Sequence, residues 1–350
     1  MSVYDQIDLH DRAAPDLNAL IEMQNQADAR AKHQRLIELM WGRQHLPDRM
    51  PDALVADIAH HTETPDNRFD HLHNLRQIDR LTVNLPFGFQ SHPYLFHPHD
   101  SNNRFAVYHQ GHDGDFIYGI DTIQFLLAQG YTVLAFSLPL LGLNVPPPYV
   151  DIPRIGRVPA FFHHGHFLLL EPFVDGSTLQ FFMEPIVIGL NYAHSLGFDD
   201  YIMTGLSGGG WATVVAAAVD HRIRLSYPVA GSSPLYQRLD VLPDGKDTEW
   251  GDYEQWLPGV FPELNYFELY ALGVLGQNRH QLAVYNKYDS CCFWGQRALH
   301  WADALNDRLG SLEGLGTFEV FVDDSHEGHL ISEIAHNVIG AHLDKHRETP

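Results

Sequence analysis

Residues 199–211 read DDYIMTGLSGGGW, and positions 205–209 match the pattern Gly-x-Ser-x-Gly with Ser207 at its centre. A strand-like run at 201–204 precedes the pattern, and an alanine-rich helical run at 212–219 follows it. A serine on a tight strand-to-helix turn is held in a strained conformation that exposes its hydroxyl, and glycines beside it let other backbone approach closely. The start of the helix also favours the negative charge that develops in acyl transfer. The stretch therefore predicts a nucleophilic serine; the alternative is a glycine-rich turn that only connects a strand to a helix.

Strand-like and helix-like runs alternate on both sides of this stretch. The segment 78–98 predicts two antiparallel strands joined near residues 86–88. Further strands are predicted at 105–109, 131–136, 201–204, 223–229, 282–285 and 318–322, and helices at 122–129, 179–196, 211–219, 296–305 and 333–343. Such alternation is typical of a mainly parallel sheet with helices on both faces. We predict an α/β fold whose eight-stranded sheet has two antiparallel strands at its start.

Three segments do not follow the alternation. Residues 1–74 contain apolar residues at helical spacing and predict a helical extension that packs on a main domain at 75–350. Residues 140–176 are rich in proline and aromatic residues, and residues 233–279 contain several tryptophan, tyrosine and phenylalanine residues. Long insertions between sheet elements are usually lids or walls of a substrate pocket, and we predict this role for both.

The charge of the chain argues against two classes of partner. With 22 Lys and Arg against 44 Asp and Glu, the formal net charge is −22, which phosphate backbones and anionic lipids would repel. No apolar run approaches the length of a membrane-spanning helix, and the N-terminus lacks the basic and apolar regions of a secretory signal. The two cysteines, Cys291 and Cys292, are adjacent and could not join distant parts of a secreted fold. We expect a cytoplasmic protein that binds neither nucleic acid nor membrane.

The 24 histidines raise the question of a metal site. Their densest clusters are HPH at 97–99 and HHGH at 163–166, and neither has a ligand spacing such as H-E-x-x-H. We therefore predict no metal ion and no cofactor, with most histidines on the surface or in a lid.

In these motifs the chain resembles the α/β-hydrolase superfamily over residues 75–345. Its layout is similar to that of acetyl-xylan-esterase-like, dienelactone-hydrolase-like and prolyl-oligopeptidase-like members. The resemblance implies the α/β-hydrolase fold, with Ser207 as nucleophile. It also implies an oxyanion hole formed by the backbone N–H of Gly208 and an N–H from the loop after the third strand, where HQGH places His112. Gly111 matters in that loop because backbone must approach the substrate oxygen closely.

Two further site residues are expected after the last two strands. The hydrolase chain order Ser, Asp, His places the acid at Asp289, where a carboxylate could orient a histidine. The loop after the last strand offers two bases. The spacing from the strand favours His326, whereas His329 lies closer to the next helix. Both histidines stay open at this point, and Asp323 or Asp324 is an alternative acid.

Together these residues predict a serine hydrolase that cleaves a carboxylic ester through an acyl-enzyme intermediate. A peptidase or amidase, or an acyltransferase, would use the same three residues. A non-catalytic binding protein on this fold would keep the pocket without needing them. The expected partner is a small-molecule ester or amide, and the sequence leaves open whether the chain forms a homo-oligomer.

Overall fold

The structure, a computed structural model, describes residues 16–62, 65–239, 250–312 and 316–347. Its strands are β1 (Ala53–Val55), β2 (Leu75–Asn84), β3 (Gln90–Ser91), β4 (Tyr94–Pro98), β5 (Phe105–His109), β6 (Thr132–Phe136), β7 (Tyr149–Ile152), β8 (Gly156–Pro159), β9 (Tyr201–Leu206), β10 (Ile223–Val229), β11 (His280–Asn286) and β12 (Thr317–Asp323). Its α-helices are α1 (Leu17–Leu20), α2 (Gln26–Trp41), α3 (Ile120–Ala128), α4 (Gln180–Ser195), α5 (Gly208–Val219), α6 (Tyr266–Gly273), α7 (Leu299–Gly310) and α8 (Glu333–Lys345).

Ten of these strands form one mixed sheet in the order β1-β2-β4-β6-β5-β9-β10-β11-β12, with β3 paired to β2. The six strands from β6 to β12 along this order are parallel to one another. The strands before them, β1 to β4, pair in antiparallel fashion. The predicted α/β architecture, with two antiparallel strands at its start, is therefore confirmed.

The main sheet has ten strands instead of the predicted eight. All eight predicted strands are present, as β2, β4, β5, β6 and β9 to β12. The two additional strands, β1 and β3, pair with β2 and contain only three and two residues. Segments this short carry no detectable alternation of apolar and polar residues, so a sequence pattern cannot reveal them.

Helix α5 follows the Ser207 turn, and every residue in it is buried. Its sequence, GGGWATVVAAAV, is small or apolar on all sides, as expected for a helix enclosed by other elements. Helix α6 packs against it and is also buried throughout. This helix starts in a capping box formed by Asn265 and Glu268. It belongs to the insertion 233–279, whose role as a lid or pocket wall stays a prediction; residues 240–249 of the insertion lie outside the described residues.

The described part of the N-terminal segment contains helices α1 and α2 and strand β1. Helix α2 begins after the cap residue Asn25 and ends at Gly42, whose φ of 64° lies in the left-handed region that favours glycine. Its buried face, including Leu36 and Met40, joins the same apolar core as the sheet. Strand β1 then adds directly to the sheet edge. Residues 1–15 lie outside the described residues, and the division of the chain at residue 74 stays a prediction.

The insertion 140–176 contains the hairpin β7–β8 and two short 3-10 helices, His164–Leu169 and Glu171–Phe173. In the part of the chain that the structure describes, no helix has both the length and the apolar character that crossing a membrane requires.

One buried cation joins three elements at the far side of the sheet. The Arg279 guanidinium, only 5% exposed, donates hydrogen bonds to the carbonyl oxygens of Ala217 (2.6 Å), Ile223 (3.0 and 3.1 Å), Leu272 (3.1 Å) and Leu275 (2.9 Å). These carbonyls lie at the ends of α5 and α6 and at the start of β10. Burial lowers the pKa of Arg279 to about 10. The Arg279 side chain therefore supplies hydrogen-bond donors to several backbone carbonyls at once, as the carbonyls at a helix C-terminus require.

We expect Arg279→Met to lower the free energy of unfolding by about 3–5 kcal/mol, because several buried carbonyls would lose a charged donor. Arg157→Met is the matched control, since Arg157 is an exposed arginine whose pair with Asp151 is screened by water, so its loss should change the free energy of unfolding far less. Chemical denaturation of both variants measures the difference. Equal losses in the two variants would contradict the assigned role of Arg279.

Candidate active site

Ser207 lies in a strained turn between β9 and α5. Its φ is 57° and its ψ is −123°, a conformation that residues other than glycine rarely adopt. The backbone holds it there from both sides: the Ser207 N–H donates to the carbonyl of Val229 in β10 (2.9 Å), and the Trp211 N–H donates to the carbonyl of Ser207 (2.9 Å). The strand-turn-helix context predicted from the sequence is therefore present.

Two glycines allow neighbouring backbone to reach this turn. A Cβ on Gly209 would lie 1.9 Å from the carbonyl oxygen of His109, at the end of β5. A Cβ on Gly111 would lie 2.6 Å from the Cβ of Ser207 and 2.7 Å from the carbonyl oxygen of Leu206. The loop after β5 therefore passes directly over the turn, as a loop that supplies an oxyanion-hole donor must do.

His112 follows in the same loop and lies against the first residue of α5. A Cβ on Gly208 would lie 2.6 Å from Cε1 and 2.7 Å from Nδ1 of the His112 ring. Of the three residues expected around an oxyanion hole, Gly111 thus lies against Ser207, Gly208 follows it in the chain, and His112 lies against Gly208. Their role as donors to an oxyanion stays a prediction.

Asp289 and His329 form a closely paired carboxylate and imidazole. The Nδ1 of His329 lies 2.8 Å from Oδ2 and 3.0 Å from Oδ1 of Asp289. The Asp289 side chain is fully buried, and that of His329 is 10% exposed. A hydrogen bond from Nδ1 to the carboxylate leaves Nε2 as the basic nitrogen of the ring.

The surroundings of Asp289 keep it ionised. Its Oδ1 accepts hydrogen bonds from the backbone N–H groups of Cys291 (2.8 Å) and Cys292 (3.1 Å), and its Oδ2 accepts one from Nδ2 of Asn286 (3.0 Å). Burial alone would raise the pKa of Asp289, but His329 and the two amides hold this pKa below its ordinary value. The sulfurs of Cys291 and Cys292 are bonded to each other. Both cysteines thus contribute backbone donors to the carboxylate.

His326 belongs to a different pair, contrary to the preference given by the spacing. Its Nε2 lies 3.5 Å from Oδ2 of Asp323, the last residue of β12. Asp323 also accepts hydrogen bonds from Ser325 and Ser332, while Asp324 is exposed. The loop turns at the strand end, so the nearer histidine stays beside Asp323 and the farther one reaches Asp289. Counting residues from the strand could not show this path.

Ser207, Asp289 and His329 follow strands that lie close together in the sheet. Ser207 follows β9, Asp289 follows β11 and His329 follows β12, and only β10 separates β9 from β11. All four strands are parallel, and their carboxyl ends meet at one edge of the sheet. In open α/β sheets this edge is where ligands bind.

A second group of titratable side chains lies beside the turn and was missed by the sequence analysis. His112 and His164 both contact the carboxylate of Glu254, which is completely buried. Burial alone would raise the pKa of Glu254, but the two imidazoles hold it well below its ordinary value. His112 and His164 also line an open cleft of about 120 Å³ together with Leu140, Leu141, Phe162, His163 and Asp252. The three contact residues come from three distant segments, so no local spacing could have indicated the group.

We expect Gly111→Ala to lower the free energy of unfolding by about 1–3 kcal/mol, because the added methyl would overlap Ser207 and backbone would have to move. Gly310→Ala is the matched control: nothing lies within 4 Å of the position a Cβ would take there, and alanine favours the helix by up to about 1 kcal/mol. Denaturant titrations of both variants test this. A Gly111→Ala variant as stable as the control would show that the loop does not press on the turn.

Comparison with known proteins gives matches in structure only. No protein-family model and no curated protein matches the chain. Among solved structures, the methylesterase BT1017 aligns with a TM-score of 0.60 and 12% identity, covering 92% of this chain and 63% of that one, so this chain spans less than two thirds of its length. The acetyl xylan esterase from Paenibacillus sp. R4 aligns with a TM-score of 0.52 and 14% identity, covering 91% of this chain and 92% of that one.

A third solved structure gives the highest coverage of both chains among these three. Acetyl xylan esterase 1 from Thermoanaerobacterium sp. JW/SL YS485 aligns with a TM-score of 0.52 and 12% identity, covering 97% of this chain and 96% of that one. At such identities the likeness concerns the fold. The sheet order, the strained serine turn and these alignments agree, and the chain has the α/β-hydrolase fold.

Proposed function

We propose that the protein is a serine hydrolase that cleaves carboxylic esters with small acyl or alcohol groups. Ser207 is the nucleophile, His329 the general base and Asp289 the carboxylate that orients it. The observation that carries the proposal is the buried contact of 2.8 Å between His329 and Asp289, at the sheet edge where the strained Ser207 turn also lies.

In the first half of the reaction, the Ser207 hydroxyl attacks the carbonyl carbon of the ester while Nε2 of His329 takes its proton. The ionised Asp289 keeps Nδ1 protonated and stabilises the imidazolium that forms. The negative charge moves to the former carbonyl oxygen, giving a tetrahedral intermediate. His329 then returns the proton to the leaving alcohol as the carbon–oxygen bond breaks.

Two backbone N–H groups stabilise the oxyanion in this scheme. Gly208 is the first residue of α5, so its N–H has no hydrogen-bond partner within the helix. This N–H lies at the N-terminus of α5, which is the positive end of the helix dipole. His112 supplies the second N–H from the loop that Gly111 allows to pass over Ser207. Donors fixed in this way stabilise the transition state without reorganising during the reaction.

In the second half, water replaces the alcohol. His329 takes a proton from this water as the water oxygen attacks the acyl carbon. The bond between the acyl carbon and the Ser207 oxygen then breaks, and His329 returns the proton to that oxygen. An amide substrate would follow the same steps with an amine as leaving group, so the residues alone do not separate an esterase from an amidase.

Two observations favour small ester substrates. The cleft that His112 lines has a volume of about 120 Å³ and is partly apolar, with Leu140, Leu141 and Phe162 in its wall. The three structures compared above are named a methylesterase and two acetyl xylan esterases.

We expect Ser207→Ala to abolish turnover of p-nitrophenyl acetate, and His329→Ala to lower kcat by about 10³-fold or more, since each removes a member of a unit that acts together. His326→Ala is the matched control. It lies in the same loop but pairs with Asp323, so it should retain kcat/KM within a few-fold of the wild type.

Steady-state kinetics on the three variants, with circular dichroism to verify folding, provides the test. Loss of activity in His326→Ala with retention in His329→Ala would move the base to His326. Wild-type rates in Ser207→Ala would end the proposal. Hydrolysis of aminoacyl p-nitroanilides faster than of the acetate ester would replace the esterase with an amidase.

A further inference from the structure

Four side chains from three separate segments converge beside the Ser207 turn. His112 comes from the loop after β5, His164 from the insertion 140–176, and Glu254 and Asp252 from the insertion 233–279. The Nε2 of His112 lies 3.0 Å from Oε1 of Glu254, 3.2 Å from Oδ2 of Asp252 and 3.2 Å from Nδ1 of His164. The same Nδ1 of His164 lies 3.0 Å from Oε2 of Glu254.

The tautomer of His164 is fixed by a backbone group. Its Nε2 lies 2.8 Å from the carbonyl oxygen of Pro139, which can only accept, so Nε2 carries a proton. In the neutral ring, Nδ1 then presents a lone pair to Oε2 of Glu254 and to Nε2 of His112. A lone pair that faces a carboxylate oxygen is repelled unless a proton or a metal ion lies between them.

The carboxylate of Glu254 has the same need for positive charge. Its side chain is completely buried, and Oε1 has no hydrogen bond of good geometry although the ion pair to His112 is close. An ionised carboxylate in such a place is costly unless cations or strong donors surround it. Its two oxygens point to the two imidazole nitrogens, so all these lone pairs are directed toward one region.

We propose that His112, His164 and Glu254 bind one divalent metal ion, with zinc as the best-suited metal and Asp252 at the side that faces the cleft. Two imidazoles and a carboxylate are a common ligand set for zinc. Two ligand atoms about 2.1 Å from a tetrahedral zinc ion lie roughly 3.4 Å apart. The observed separations of 3.0–3.2 Å between neighbouring ligand atoms require only a small outward movement.

The second shell and the access path also suit a metal. A ligating histidine usually donates its other N–H to a carbonyl or carboxylate, as His164 does to Pro139. The open cleft of about 120 Å³ is lined by His112, His164 and Asp252, so an ion can enter from solvent. Bound there, the ion would fasten both insertions to the loop that passes over Ser207. This binding does not depend on the hydrolase activity proposed above.

The other histidine group at the sheet edge is less suitable. Cys291, Cys292 and His329 also offer three ligand atoms close together. The two sulfurs are bonded to each other, so neither is a thiolate, and Nδ1 of His329 is directed to Asp289. A third group joins Glu319 in β12, His342 in α8 and His346 directly after that helix.

The test is zinc binding by the full chain, stripped with a chelator and titrated in competition with a chromogenic zinc indicator. We expect one zinc ion per chain with a Kd below about 1 µM. His164→Ala and Glu254→Gln should each weaken binding by more than about 100-fold, because even outer-shell partners of a metal account for about 10–100-fold. His166→Ala, in the same HHGH segment but directed to Phe161 and Phe162, should bind as the wild type does. His329→Ala should also leave zinc binding unchanged.

X-ray absorption of the zinc-loaded wild type decides the matter if a variant fails to fold. The expected spectrum shows nitrogen and oxygen ligands with imidazole scattering. Sulfur ligands, zinc affinity that survives both His164→Ala and Glu254→Gln, or its loss in His329→Ala would overturn the proposal. A folded wild type that binds no zinc would also overturn it and would show that shared protons hold the four side chains together. None of these readouts uses ester turnover, so failure here is distinguishable from failure of the hydrolase proposal.

Discussion

The close approach of two backbone segments at the Ser207 turn is the constraint on which the rest of the site depends. Gly209 packs against the carbonyl of His109 and Gly111 packs over Ser207, at separations that no side chain would permit. This contact holds Ser207 at a positive φ and places the loop after β5 beside the first amide of α5. A buried sheet and an equally buried helix on either side supply the packing that sustains the strain.

The same sheet edge concentrates charge in two places that differ in character. Asp289 is held ionised by two backbone amides and one imidazole. The ionised carboxylate therefore fixes the proton of the neutral His329 ring on Nδ1. The carboxylate of Glu254 faces the imidazoles of His112 and His164. The N–H donors of these rings are fewer than the lone pairs that meet there, so a bound cation would balance the negative charge of Glu254. His112 connects the Glu254 group to the Ser207 turn, because its backbone lies in the loop above Ser207 while its ring contacts Glu254. A metal ion at Glu254 would thus stiffen the loop proposed to hold the oxyanion.

The sequence predicts the features that depend on local patterns. The strand β9, the turn and α5 are contiguous, and the alternation of elements predicts the parallel sheet. Features that depend on the path of the chain were not predictable. Helix α6 is buried throughout and, apart from Glu268, carries no charged residue, so it gives no amphipathic signal. The choice between His326 and His329 depends on how one loop turns. The group around Glu254 joins segments more than 50 residues apart, so the histidine cluster at 163–166 alone indicated nothing specific.

We expect the Ser207 hydroxyl to be far more reactive than the other serine hydroxyls of the chain. Labelling of the folded protein with a fluorophosphonate, followed by peptide mapping, tests it most directly, because the probe forms a bond only with an activated nucleophile. We expect one label per chain, on the peptide that contains Ser207. Labelling of a different residue, or none in a folded chain, would contradict it.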